Sequence, residues 1–188
     1  MSDMSSQPIL ETERLILRPF KLSDADTVEK LAGDKQIAST TLNIPHPYPK
    51  GGAKEWITTH ESKYNKGKRV VYAITLKKSG KLVGCISLAI NVDHNQAELG
   101  YWVGVQYWNK GYCSEAGMAL LEYGFETMKL NRIHACYLSR NPASGRVMDK
   151  LGMRHEGTRR QHVRKWGVYE DLELKGMLRS DWEKQRSM

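Results

Sequence analysis

Three consecutive segments of strand composition, Arg69 to Lys77, Lys81 to Asn91 and Gln96 to Val105, are separated only by Ser79-Gly80 and by Asp93-His94-Asn95. Turns this short join antiparallel neighbours, because a parallel crossover needs a dozen residues or more. An antiparallel meander is therefore predicted, and the rest of the chain must pack on it. Met118, Leu121, Phe125 and Met128 recur at helical spacing from Ser114 to about Leu130-Asn131, which predicts a helix with one face on the sheet. Upstream, Arg14 to Phe20 alternates as a strand and Ser23-Asp24-Ala25-Asp26 offers a helix start. Asn43 to Gly52, with three prolines and two glycines, reads as a loop leading into an amphipathic helix from Ala53 to about Asn65. Downstream, Arg132 to Ser139 reads as a strand and Asn141 to Leu151 as a short helix closed by Gly152. Two strands and a terminal helical turn complete the chain. This order predicts an α/β (α+β) fold, a mixed sheet with helices on both faces.

The 188 residues fit one domain spanning the whole chain, with residues 1–8 expected as a flexible lead. No apolar run is long enough to span a bilayer, and Met1 to Gln7 lacks the basic flank and apolar stretch of a secretory signal, so a cytoplasmic, non-membrane protein is expected. Cys85, Cys113 and Cys136 are odd in number and isolated, which fits a reducing compartment. None of the six histidines and three cysteines falls at a metal-ligand spacing, so no metal is expected. A formal net charge of +8 calls for a polyanionic ligand or an RNA-rich partner, and charge alone does not choose between them.

The stretch Glu98 to Glu115, ELGYWVGVQYWNKGYCSE, carries the chemistry, because a strand here runs through a glycine turn into a helix. Such a turn aims unpaired backbone N–H groups at one spot, and with the helix dipole they form a site for a phosphate or pyrophosphate. Lys110 adds a cation, Gly111 permits close backbone approach, and Ser114 can cap the helix or donate to an oxygen. An ordinary strand-to-helix connection, bent by its glycine, is the competing reading. Neither GxGxxG after a strand nor GxxxxGK[ST] is present, which disfavours dinucleotide and ATP sites.

Trp108-Asn109-Lys110-Gly111-Tyr112-Cys113 resembles the Q/R-x-x-G-x-G/A acyl-CoA-binding turn of the GNAT superfamily of N-acetyltransferases, with Trp108 and Cys113 replacing the usual residues. The longer string GYWVGVQYWNKGYCSEA is similar to the branch that includes ribosomal-protein N-terminal acetyltransferases of the Rim type. So are the segment Asn141 to Met153, the opening ETERLILRPFKLSDAD and the ending YEDLELKGMLRSDW. The resemblance implies a mostly antiparallel sheet with a splayed strand pair, Gln96 to Val105 and Arg132 to Ser139, gripping acetyl-CoA as co-substrate. It implies that backbone groups of Val103 and Val105 pair with the pantetheine amides. The N–H groups of Asn109, Lys110, Gly111, Tyr112, Cys113 and Ser114 would hold the pyrophosphate, and the Asn141 side chain the pantetheine arm.

Acetyl transfer needs a neutral amine, because an ammonium has no lone pair. An α-amine, with a pKa of about 7.7 to 8.0, asks less of a base than a lysine at about 10.4. Glu98, on the strand beside the gap, is the carboxylate expected to serve as base, directly or through a water, and an ion-paired surface glutamate is its alternative. The superfamily's usual tyrosine acid is replaced by Met148, and the Rim-type branch carries a serine at the position of Ser144, the candidate acid; a helix-start cap is its other reading. Positioning and backbone stabilisation of the oxyanion would supply much of the rate.

The expected acceptor is a protein N-terminus, such as that of a ribosomal protein with attendant ribosome association; a small amine, antibiotic or polyamine, is the alternative. A homodimer is compatible with these readings. A non-catalytic acyl-CoA-binding or RNA-associated module is the rival class. The run Arg159, Arg160, His162, Arg164, Lys165 reads as a solvated hairpin, with an RNA or acidic-protein contact as the other possibility.

Overall fold

A computed structural model describes residues 6–187. The predicted meander is present as β3 (Arg69–Leu76), β4 (Leu82–Asn91) and β5 (Gln96–Val103), each antiparallel to the next. The run VVYAIT in β3 is buried on both faces, as its near-continuous apolar sequence requires. Around this centre β1 (Leu10–Glu11), β2 (Leu15–Arg18), β6 (Arg132–Leu138), β7 (Arg154–Lys165) and β8 (Val168–Leu178) complete an eight-stranded sheet in the order β1-β2-β3-β4-β5-β6-β8-β7. All neighbouring strands are antiparallel except β5 and β6.

Helices cover both faces. On one, α5 (Tyr112–Glu122), α6 (Pro142–Lys150) and α7 (Arg179–Arg186) enclose a core that includes Leu120, Leu121, Phe125, Met148 and Trp182. On the other, α1 (Ala25–Ala32) and α3 (Gly52–Thr58) bury Val28, Leu31, Ala53 and Ile57 against Ala73 and Leu82.

Four expectations change. The helix expected over 53–65 is two, α3 and α4 (His60–Asn65), with Thr59 between them as a shared cap. A helix α2 (Lys35–Thr40) precedes the proline-rich loop, capped by the Asp34 carboxylate accepting from the Gln36 N–H at 2.8 Å. Met118 is 41% exposed, because the buried face of α5 runs through Ala116, Gly117, Leu120 and Leu121. Finally, β5 stops at Val103, and Val105 opens a short 3-10 turn to Tyr107. Of the expected flexible lead, residues 1–5 lie outside the described residues; Gln7 donates its amide to the Val71 carbonyl at 2.9 Å.

Candidate active site

The one parallel contact is short. β5 and β6 pair only at Gln96/Arg132, Ala97/Ile133 and Glu98/His134, and then diverge while each continues four or five residues further. Beyond Glu98 the inner edge of β5 therefore has no strand partner. Gly104 N–H donates to Val83 O at 2.9 Å, which makes Gly84/Val103 a non-hydrogen-bonded antiparallel pair. The N–H and C=O of Val103 consequently face the gap. The carbonyl is already engaged by the Trp108 indole N–H at 2.7 Å, and the N–H is left toward the opening.

At the mouth of this gap stands the α5 N-terminus. Asn109 and Gly111 both take left-handed backbone conformations, φ 60° and 79°. The first main-chain bond back onto the turn is Glu115 N–H to Gly111 O, so the N–H groups of Tyr112, Cys113 and Ser114 are presented outward. Ser114 sits within the first turn, and Gly111 occupies the cap position. The β1–β2 corner braces this turn: Arg14 pairs with Glu115 at 2.6 Å, donates to Lys110 O at 3.0 Å and lies over the Tyr112 ring. Burial raises the Glu115 carboxyl, but bonds from Thr12 and Arg14 outweigh it and hold the group below its usual range.

The gap opens into two cavities. One, of about 390 Å³, is lined by Val103, Trp108, Asn109, Gly111, Tyr112, Cys113, Ser114, Asn141 and Ser144. Val105 and Lys110 do not line it: Val105 lies past the strand end, and the Lys110 ammonium rests over the Tyr107 ring. A stripe of Ala143, Arg146, Val147 and Lys150 on α6 closes the far wall. The second cavity, of about 460 Å³, lies on the α1/α3 side and is lined by Tyr48, Trp56, Arg69, Cys85, Ser87, Glu98 and Cys136. Tyr101, Trp102, Ser144, Thr40 and Thr41 line both, so the cavities meet there.

At the junction the Tyr101 and Ser144 hydroxyls are 2.9 Å apart, and Tyr101 O–H also reaches the Ser144 carbonyl at 3.0 Å. Burial keeps the Tyr101 phenol protonated, far above its ordinary range. Glu98 is exposed in the second cavity and accepts from the Cys136 thiol at 3.3 Å. Burial pushes the thiols of Cys85, Cys113 and Cys136 up to about 12, Glu98 adding to the effect at Cys136, so none is a ready nucleophile.

Sequence reasoning missed Tyr101, Arg146, Lys150 and Arg14. Tyr101 could have been found from strand alternation, since it shares the parity of Val103; Arg146 and Lys150 from their helical spacing with Ala143 and Val147. Arg14 had no signal, because its place follows from tertiary packing.

The model of the Acetyltransferase (GNAT) domain family matches residues 14–154, which span the turn, the gap and the helices α1, α2, α3, α5 and α6 that line the cavities. The chain belongs to the GNAT acetyltransferase family. Among GNAT relatives, the uncharacterized N-acetyltransferase YnaD of Bacillus subtilis (strain 168) is 32% identical over 174 residues, 92% of this chain and 98% of that one. The [Ribosomal protein uS5]-alanine N-acetyltransferase of Escherichia coli (strain K12) is 32% identical over 84 residues, 45% and 43% of the two chains. The crystal structure of a GNAT-family acetyltransferase from Bacillus anthracis superposes with a TM-score of 0.81 at 29% identity, covering 92% of this chain and 99% of that one. GNAT membership makes the protein an N-acetyltransferase that uses acetyl-CoA. The donors and cations present fit that co-substrate: outward N–H groups at a left-handed turn braced by Arg14, with Arg146 and Lys150 on the facing wall of the same cavity.

Proposed function

We propose that the protein transfers acetyl from acetyl-CoA to a primary α-amine by direct attack in a ternary complex, with the N-terminus of a protein, such as a ribosomal one, as acceptor. The observation that carries this reading is the meeting of two cavities at Tyr101 and Ser144. Acetyl-CoA enters from the α5 side, its diphosphate at Gly111 to Ser114 and its pantetheine along Val103 and Asn141. The amine enters from the α1/α3 side, where Glu98 is the carboxylate among the lining residues.

Glu98 lies three residues from Tyr101 along β5, roughly 10 Å at strand rise. Proton removal from the amine therefore runs through water rather than by direct contact. An α-amine, close to neutrality in its proton affinity, tolerates such a relay better than a lysine does. The lone pair attacks the thioester carbonyl, the C–S bond breaks, and the thiolate leaves with a proton relayed through the Ser144 hydroxyl, held in place by Tyr101 and replenished by the proton that the nitrogen sheds as it becomes an amide. The protein acceptor is favoured by the similarity to the uS5-alanine enzyme over part of the chain.

The test is steady-state acetylation of an N-terminal peptide panel and an amine panel. Peptide α-amines should be preferred, and Glu98→Gln should lower kcat/KM by about 100-fold at neutral pH, less as pH rises and the amine deprotonates unaided. Equal turnover by Glu98→Gln would remove Glu98 from the mechanism.

A further inference from the structure

The acceptor cavity holds a cation that the transfer chemistry leaves unused. Arg69 opens β3, and the register of Arg69 opposite Ala89, itself opposite Glu98, sets it on the cavity face in the same transverse row as Glu98. Its Nε is buried with no hydrogen-bond partner, and among the described residues Arg69 takes part in no ion pair. Arg69 as a whole is half-buried, so its charge keeps part of its hydration while its Nε lacks a partner, and an anion seated beside it would supply charge-assisted hydrogen bonds that no side chain here provides. Glu98, the carboxylate of the cavity lining, is two strands away, about 10 Å between backbones. Neighbouring His60 adds no negative charge: it is held neutral, by burial first and then by the cations Lys63 and Arg69, with its pKa lowered to about 4.

We infer that Arg69 binds an anionic group, carboxylate or phosphate, carried by the acceptor, so that the preferred substrate is an amine with a negative tail. The inference rests on the acetyl transfer proposed above and adds which amines it serves. Distance refines the class. From Arg69 to Tyr101 is two strands across and three residues along, roughly 14 Å between Cα atoms. The carboxylate of a free α-amino acid, which sits beside its amine, does not bridge that span even with the arginine extended. A carboxylate one or two residues along a peptide does, and so does a phosphate on an aminoalkyl chain. A polyamine would place a second cation against Arg69.

The experiment compares kcat/KM of the full chain, with acetyl-CoA, for matched acceptors. One pair is Ala-Ala-Glu against Ala-Ala-Gln as C-terminal amides; the other is aminobutyl phosphate against aminobutanol. The anionic member of at least one pair should lead by about tenfold or more, and the pair that shows it identifies carboxylate or phosphate as the source. Arg69→Gln should bring that ratio toward one, Arg69→Lys should retain most of it, and Arg69→Glu should turn the preference toward a cationic tail. Calorimetric titration with CoA reports whether each variant is folded; where Arg69→Gln is not, the ratio in wild type and Arg69→Lys decides. Equal rates within both pairs, or a ratio untouched by Arg69→Gln, would overturn the inference and leave the transfer reading standing. Acetylation of no amine at all would bring down the transfer reading, and this inference with it.

Discussion

The Tyr101–Ser144 contact joins a strand residue to the first turn of α6 where the two cavities meet. If Ser144 gives its proton to the leaving thiolate, Ser144→Ala should lower kcat by about 10- to 100-fold with little change in the KM for acetyl-CoA. Tyr101→Phe should cost several-fold, and the double variant about as much as Ser144→Ala alone, because the phenol acts through the serine. Steady-state kinetics on the three variants reads this directly. A second residue-scale prediction concerns stability. Glu173 accepts from Ser139, His155 and Thr158, and these bonds depress its carboxyl to about 2. Its unfolded value is about 4.3, so the stabilisation is complete above that pH and is lost as pH falls toward 2. Acid titration of the thermal midpoint should show this loss, and Glu173→Gln should flatten the curve below about pH 4.

At the scale of elements, the α5 N-terminus ties sequence to chemistry most closely. Gly111 sits at φ 79°, and a Cβ there would meet Arg14 Nη2 at 3.3 Å. Gly111→Ala should therefore cost about 1–2 kcal/mol of backbone strain and displace the brace on the turn. Titration calorimetry should record acetyl-CoA affinity weakened by about tenfold, with the melting temperature lowered by a few degrees. This turn, the meander and the Asn141–Gly152 helix were legible because each has local punctuation: a glycine with φ > 0 at Gly111 and Gly152, or a turn too short for a crossover at Ser79-Gly80. The break at Thr59 was not legible, since apolar spacing runs on through it, and α2 is too short to show a period. Met118 misled because it fits the helical spacing but falls on the solvent side of the stripe the sheet selects. The cavity walls were harder still. Thr40 and Thr41 reach the site from a segment about a hundred residues from Asn141, whose amide lies 3.5 Å from the Thr40 carbonyl.

At the scale of the whole molecule, function follows from one topological fact: the sheet is antiparallel throughout except at β5 and β6, and that pair parts after three residues. The divergence leaves a strand edge free, places a helix N-terminus at one mouth, and opens a second cavity at the other. Net charge of +8 suits a polyanionic co-substrate, with Arg14 at the turn and Arg146 and Lys150 lining the cavity it opens into. Of the basic run in β7, Arg159, Arg160, His162 and Arg164 are exposed as a solvated hairpin would be, whereas Lys165 is buried and donates to the Thr41 carbonyl at 2.6 Å. Because the two cavities communicate and the three thiols are held protonated by burial, acetyl should pass straight from sulfur to nitrogen without resting on the protein. Initial rates of thiol release, with acetyl-CoA varied at several fixed concentrations of a peptide acceptor, test this most directly. Direct transfer in a ternary complex requires double-reciprocal lines that intersect. Parallel lines, the mark of an acetylated protein intermediate, would contradict it.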